Sequence, residues 1–202
     1  MNNIAEGYIR MEKAYSAGAF DNTRIIELIE RCRKDERIAQ EELFKLYAGK
    51  MMTLCRRYAQ FEYEAEDLLQ EGFIRLFKNL TSFRNEGSFD GWVRKLFVHS
   101  ILKSLSSKNF HHDDHLEESI HDAVMEPLIL DKISSEEIIS LVNELPFGYK
   151  TVFNLAIMEG YSHKEIAELM HIEEVTSRSQ LLKARKMLQK KIEASNKVLK
   201  NI

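Results

Sequence analysis

Three polar side chains on one predicted helix are the first candidates for chemistry. Asp67, Gln70 and Glu71 lie in the stretch YEAEDLLQEGFIRLFKNL, residues 63–80, where helical spacing projects all three from one face. Paired carboxylates of this kind can carry out general acid and base catalysis. No histidine, glycine-rich loop or nucleophile motif accompanies them, so we predict no catalytic activity. A solvated helix face is the usual explanation, and a docking surface for a basic partner is the sharper hypothesis.

A cluster of histidines and aspartates, HHDDH at residues 111–115 with His121 beyond it, is the second candidate. These side chains are of the types that bind zinc. Adjacent residues on a flexible segment rarely form a closed tetrahedral site, however, so we predict neither a metal nor another cofactor. Residues 111–144 carry ten acidic side chains and one basic. We interpret residues 109–131 as a flexible acidic linker whose charge imitates that of a nucleic acid.

A third candidate is the stretch YSHKEIAELMHIEEVTSRSQLLKARKML, residues 161–188. Ser162 is a predicted N-cap, and Glu165 completes a capping box. A second helix is predicted from about Glu173, and its inward-facing residues recur at steps of four, three and four: Ser177, Leu181, Ala184 and Leu188. Between residues 176 and 200 there are eight basic residues and one acidic. Two short helices with an exposed basic face can place side chains in a DNA major groove, although an ordinary helical hairpin has the same pattern.

Aromatic and basic residues also occur together in TSFRNEGSFDGWVRKLFVHSILKSLSSK, residues 81–108. We predict a loop with exposed or semi-exposed aromatic side chains, Phe83 and Phe89, followed by a helix from about Asp90. Such a loop can hold an unstacked base while the basic helix follows the phosphates. For Trp92 itself we favour a core position. The predicted inward-facing residues of the helix are Trp92, Leu96, Phe97 and either Ile101 or Leu102.

The composition predicts an all-helical protein. Only two prolines and eight glycines occur in 202 residues, with 44% hydrophobic and 30% charged residues. Further helices are expected over 23–33, 38–59 with Gly49 as a candidate break, 135–145 and 147–158, where Gly160 is the predicted left-handed stop. No run of about 18 apolar residues and no secretion signal is present, so we expect no membrane insertion. Cys32 and Cys55 are predicted to be buried thiols in a reducing cytoplasm.

This pattern divides the chain into two small helical domains joined by the acidic linker. The predicted boundaries are an N-terminal extension over 1–22, a first domain over 23–108, the linker over 109–131, a four-helix domain over 132–194 and a tail over 195–202. Three segments in this order resemble the extracytoplasmic-function sigma factors of bacterial RNA polymerase. EAEDLLQEGFIRLFKNL is similar to that family's polymerase-binding helix, SFDGWVRKLFVHSI to its promoter-melting segment, and residues 144–188 to its C-terminal helix-turn-helix domain.

The resemblance implies roles for the matching residues. Those that would dock on the clamp helices of the largest polymerase subunit are Asp67, Gln70, Glu71 and Arg75. Those that would surround the minus-ten element and its extruded base are Phe83, Arg84, Phe89, Trp92, Lys95, Val98 and His99. Those that would contact the minus-thirty-five element are His163, Lys164, Thr176, Arg178, Ser179, Leu182 and Lys183. Core RNA polymerase and promoter DNA are the implied partners, with an anti-sigma factor as an expected inhibitor and no small-molecule substrate.

Three positions depart from the family pattern. His99 stands where many members have asparagine, the helix end SLSSK is less basic than usual, and His171 replaces a turn glycine. A histidine can adopt the left-handed conformation at some cost. Two other functions fit parts of the sequence. A stand-alone regulator would bind its duplex without polymerase, and a helical metalloenzyme built on the histidine cluster would purify with stoichiometric metal.

Overall fold

The computed structural model describes residues 22–109 and 135–200. These ranges contain helices and turns, without a strand. The chain divides into two compact units, with the division between Lys108 and Asn109. The predicted N-terminal extension, nearly all of the linker and the histidine cluster at residues 111–121 lie outside the described ranges. Among the helices of these two ranges, none has the length and hydropathy of a membrane span.

The N-terminal unit consists of four α-helices. These are α1 (Asn22–Arg33), α2 (Arg37–Arg56), α3 (Glu62–Asn79) and α4 (Phe89–Asn109), and a 3₁₀ turn, Leu80–Ser82, follows α3. Helix α2 continues through Gly49, so the candidate break there is wrong. The buried leucines and tyrosine of α2 recur at helical spacing on both sides of Gly49, and packing of that stripe outweighs the intrinsic cost of one helical glycine.

The core of this unit forms where α2, α3 and α4 pack together. Leu43 and Leu54 of α2, Leu76 of α3 and Phe97 of α4 are each at most 1% exposed. Helices α3 and α4 approach most closely at Gly72, where an added Cβ atom would lie 2.2 Å from Cε1 of Phe97. A glycine is therefore required at this crossing.

Both cysteines are buried and unpaired, as the sequence predicts. Burial raises the pKa of the Cys32 thiol to about 11 and that of the Cys55 thiol to about 12. Both groups therefore remain protonated and unreactive at neutral pH.

The C-terminal unit contains α5 (Ser135–Asn143), α6 (Phe147–Phe153), α7 (His163–Met170) and α8 (Glu174–Lys200). The helix predicted over 147–158 changes at Asn154 into a π-helical turn, Asn154–Met158. The backbone N–H of Glu159 closes this wider turn on the carbonyl of Asn154 at 3.0 Å. Gly160 then ends it with φ +74°, as predicted. Helix α8 runs through most of the predicted tail.

Candidate polymerase and nucleic-acid interfaces

The first helix of the helix-turn-helix begins with the predicted capping box. The Ser162 hydroxyl accepts the Glu165 backbone N–H at 3.3 Å, and a Glu165 carboxylate oxygen accepts the Ser162 backbone N–H at 2.8 Å. The helix ends at His171, which adopts φ 55° and ψ 42°. The backbone N–H of His171 bonds the carbonyl of Ala167. The histidine therefore supplies the left-handed turn in place of a glycine, as the sequence predicts.

The predicted inward series of α8 is buried throughout. Ser177 and Ala184 are 0% exposed, Leu188 2% and Leu181 7%. Because a helix turns by about 100° per residue, this buried line leaves a continuous opposite face. Of the residues implied in upstream DNA contact, Lys164, Arg178 and Ser179 are exposed, and Thr176, Leu182 and Lys183 are half-buried.

Two side chains on the flanks of α8 are held by neighbours within the unit. Arg178 forms an ion pair with Glu174, one turn earlier. The Lys183 ammonium lies 6.0 Å from the ring centroid of Tyr149 on α6, a cation–π distance. These contacts restrict the orientation of the two cationic side chains.

His163 takes part in the internal packing of the helix-turn-helix. Its Nδ1 lies 2.9 Å from the hydroxyl oxygen of Ser177, the fully buried first residue of the inward series. Partial burial lowers the pKa of His163, and the positive charge of Arg178 lowers it further. Arg185 also lowers this pKa, whereas the negative charge of Glu174 raises it. This contact ties α7 to α8 within the unit, and the DNA-facing role that the resemblance implies for His163 stays a prediction.

The predicted exposure of the loop aromatics is wrong. Phe83 and Phe89 are each 6% exposed. Their ring centroids are 5.0 Å apart, and each lies within 5.6 Å of Trp92. Phe89 also meets the buried Tyr47 of α2 edge-on at 5.5 Å. The two phenylalanines therefore form a platform beneath Trp92, which itself is half-buried. The favoured core position of Trp92 is thus only partly correct.

Arg33, at the end of α1, anchors the loop that precedes α4, a role that the sequence pattern does not predict. Its guanidinium donates from Nη2 and Nε to the Leu80 carbonyl at 3.0 and 3.2 Å, and from Nη2 to the Phe83 carbonyl. These bonds join residues 47 and 50 positions apart in the chain. A basic residue at the end of a short helix carries no signal of so remote a contact.

A second anchor lies at the start of α4. The Lys50 ammonium is 3.3 Å from a carboxylate oxygen of Asp90. Burial, followed by the neighbouring Asp90 charge, raises the pKa of the Tyr47 hydroxyl. Helix α2 thereby fixes the point where the loop enters α4.

The exposed face of α4 carries only part of the predicted melting set. Trp92, Lys95 and His99 follow one another at helical spacing, and Lys95 and His99 are exposed. Arg84 is exposed in the loop. Val98 is 0% exposed and packs in the core. The predicted inward set is also shifted, since Leu96 is half-buried while Val93 is fully buried.

The polar residues of α3 project together, as predicted. We call the outward line of this helix the docking face: Asp67, Gln70, Glu71, Ile74 and Lys78. Asp67 and Gln70 are exposed, and Ile74 is 49% exposed. Arg75 lies half-buried beside this face, and its guanidinium forms an ion pair with the Glu71 carboxylate at 2.5 Å. The docking face thus has an apolar centre with acidic and amide groups at one end and a lysine at the other.

The described ranges contain no candidate metal-binding site. Within residues 22–109 and 135–200, no group of three or more histidine, cysteine or acidic side chains is arranged to hold a metal ion. The histidines at 111–121 lie outside these ranges.

Two family models match the chain, one in each unit. The model for Sigma-70 region 2 matches residues 43–111, and the model for Sigma-70, region 4 matches residues 135–188. Together they span more than half of the chain. They contain the docking face, the loop with α4, and the helix-turn-helix.

Similar proteins cover nearly the same length. The chain is 28% identical to the ECF RNA polymerase sigma-E factor of Haemophilus influenzae, over 82% of this chain and 94% of the relative. It is 24% identical to the RNA polymerase sigma-H factor of Pseudomonas aeruginosa, over 83% and 93%. A solved structure with 16% identity and a TM-score of 0.49, covering 76% of this chain and 96% of that chain, is the sigma factor RpoE in complex with the anti-sigma factor NepR from Bartonella quintana.

The two family models and the two helical units define a sigma factor of transcription initiation. The chain belongs to the extracytoplasmic-function group of the sigma-70 family.

Proposed function

We propose that this sigma factor divides its work among three surfaces. The docking face of α3 binds core RNA polymerase. The stripe of α4 formed by Trp92, Lys95 and His99, with Arg84 in the preceding loop, acts on the minus-ten element. The outward face of α8 reads the minus-thirty-five element. We assign no chemical reaction to the chain and place it in the cytoplasm with the polymerase.

The observation that carries the proposal is the composition of the docking face. One side of α3 is buried, with Leu68, Phe73 and Leu76 at most 5% exposed, whereas the docking face presents Asp67, Gln70 and Ile74 to solvent. A stand-alone regulator needs only its DNA-reading unit and a dimer contact. An exposed apolar residue flanked by acidic and amide groups suits a basic protein partner, because the centre can be desolvated while the rim provides charge complementarity.

For the minus-ten stripe, support comes from the way the structure holds Trp92. Two buried phenylalanines and the Arg33 bonds fix the loop beside it, so its half-exposed ring has a rigid support. A rigid aromatic surface beside Lys95 suits base stacking together with phosphate contact. Phe83 and Phe89 then support the stacking side chain and do not take the base themselves.

Polymerase binding is tested with a charge reversal and a matched control. We expect Asp67→Lys with Glu71→Lys to weaken binding to bacterial core RNA polymerase by at least about tenfold, because like charges would face the basic partner. The control variant carries Glu27→Lys and Glu41→Lys, at two acidic residues exposed on α1 and α2, and changes the net charge by the same amount. Both variants should keep the fluorescence spectrum of Trp92, the single tryptophan.

The outcomes separate the competing functions. Tight binding by wild type and by the control, with loss in the α3 variant, supports the proposal. A folded wild-type protein that fails to bind core polymerase contradicts it. Specific binding of duplex DNA by that free protein would then support a stand-alone regulator. An anti-sigma partner, expected from the resemblance, remains a prediction.

A further inference from the structure

Val175 is the most exposed of the large hydrophobic side chains in the described residues, at 71%. It lies in the first turn of α8, immediately after Glu174. Single exposed apolar residues are common on protein surfaces, so exposure alone assigns Val175 no role. Its position on the helix is more informative.

The helical rotation places Val175 directly opposite the buried line of α8. At about 100° per residue, Val175 is about 160° from Ser177, and Ser179 and Leu182 lie within about 40° of Val175. These three residues form an uncharged outer strip over the N-terminal part of α8, and Lys186, about 20° from Val175 by the same rotation, ends it. Arg178 and Arg185 border the strip on one side, and Thr176 and Lys183 border it on the other.

This arrangement matches the chemistry of a major groove. Cationic flanks suit the two phosphate backbones, while the outermost line of a recognition helix meets the base edges, chiefly through its N-terminal residues. A valine side chain neither donates nor accepts a hydrogen bond, so it cannot read guanine or adenine edges. The apolar feature in the major groove is the C5-methyl group of thymine.

We propose that Val175 selects a thymine in the upstream promoter element by packing against its methyl group. This inference rests on the proposed function of α8. Branching at Cβ leaves valine essentially one favoured rotamer in a helix, so its methyl groups are preorganised. Glu174, the residue before Val175, is held in an ion pair with Arg178, one turn further along the helix.

The test uses holoenzyme reconstituted from the full chain and bacterial core polymerase. A promoter library randomised over the upstream element is transcribed, and the enriched sequences are compared for wild type and Val175→Ala. We expect wild type to enrich thymine at one position and Val175→Ala to lose that preference alone. Replacing that thymine by uracil, which lacks the methyl group, should lower wild-type affinity about fourfold, as expected for one buried methyl group. The same replacement should leave Val175→Ala unchanged.

Two further variants control the experiment. Val175→Ile keeps the apolar contact and should retain the thymine preference. Ile38→Ala truncates a comparably exposed residue, 70% exposed on α2, and should leave the preference unchanged. Absence of any upstream preference in wild type would contradict the proposed function of α8. A preference that persists in Val175→Ala, or that ignores uracil substitution, would overturn the role of Val175 while leaving the function of α8 intact.

Discussion

Replacing Gly72 by alanine should destabilise the N-terminal unit, because α3 and α4 leave no space there for a Cβ atom. The added atom would lie 2.2, 2.5 and 2.6 Å from three ring carbons of Phe97. Ordinary carbon–carbon contacts are about 3.5–4.0 Å, so the ring would have to move by more than about 1 Å. Phe97 is 0% exposed, and Phe73 packs edge-on against it at 5.3 Å, which restricts that movement.

The magnitude follows from two opposing effects. Overpacking of a tight core costs about 1–3 kcal/mol, whereas alanine is favoured over glycine in a helix by about 1 kcal/mol. Gly49 provides a matched control, since it lies inside α2, is exposed and has no atom within 4 Å of an added Cβ. Gly49→Ala should therefore raise the free energy of unfolding by up to about 1 kcal/mol. The difference between the two variants isolates the steric cost.

Urea unfolding followed by Trp92 fluorescence measures this difference. Trp92 is the sole tryptophan and lies in the N-terminal unit, so the signal reports that unit alone. We expect a lower midpoint for Gly72→Ala and an unchanged or higher midpoint for Gly49→Ala. For a unit of this size, each kcal/mol also shifts the melting temperature by about 4–8 °C. A Gly72→Ala protein as stable as Gly49→Ala would refute the close approach of α3 and α4.

Two other predictions concern the anchors of the proposed DNA surfaces. Arg33→Gln should lower the free energy of unfolding of the N-terminal unit by about 1–3 kcal/mol, because two loop carbonyls lose their charged donor, and proteolysis in the loop should accelerate. Arg24→Gln, which breaks an exposed ion pair, should cost less than about 1 kcal/mol, and equal losses would contradict the anchoring role. His163 should titrate below pH 6.5 in proton NMR, assigned with His163→Gln. Because His163 binds a proton more readily in the unfolded chain than in the folded one, the neutral histidine stabilises the C-terminal unit. This stabilisation is complete above pH 6.5 and declines as the pH falls below it. A pKa at or above 6.5 would contradict the effect of burial and Arg178.

The features predicted correctly from the sequence are mostly local. The capping box of Ser162 and Glu165 joins residues three positions apart, and the left-handed turn at His171 depends on its own backbone. The buried series of α8 follows from helical periodicity alone. Resemblance added the family, which composition and spacing could not supply.

The features that were missed depend on contacts between distant parts of the chain. Phe83 and Phe89 belong to a polar, glycine-containing stretch that predicts exposure, yet Tyr47 of α2 and Trp92 of α4 cover them. The anchoring bonds of Arg33 span 47 and 50 residues. The resemblance implies outward roles for both Val98 and His163, but it does not show that Val98 is fully buried or that His163 bonds Ser177 inside the unit. Periodicity identifies which face of a helix is apolar, but not which neighbour covers its flanks.

Mapping of transcription start sites shows whether this protein directs core polymerase to promoters through the docking face. Core RNA polymerase would be incubated with promoter fragments alone, with the wild-type chain, or with the Asp67→Lys, Glu71→Lys variant, and the RNA 5′ ends would be sequenced. We expect wild type to create a new set of start sites that share a minus-ten and a minus-thirty-five element, and the variant to create none. A folded wild-type chain that leaves the start sites of core polymerase unchanged would show that the protein does not act as a sigma factor.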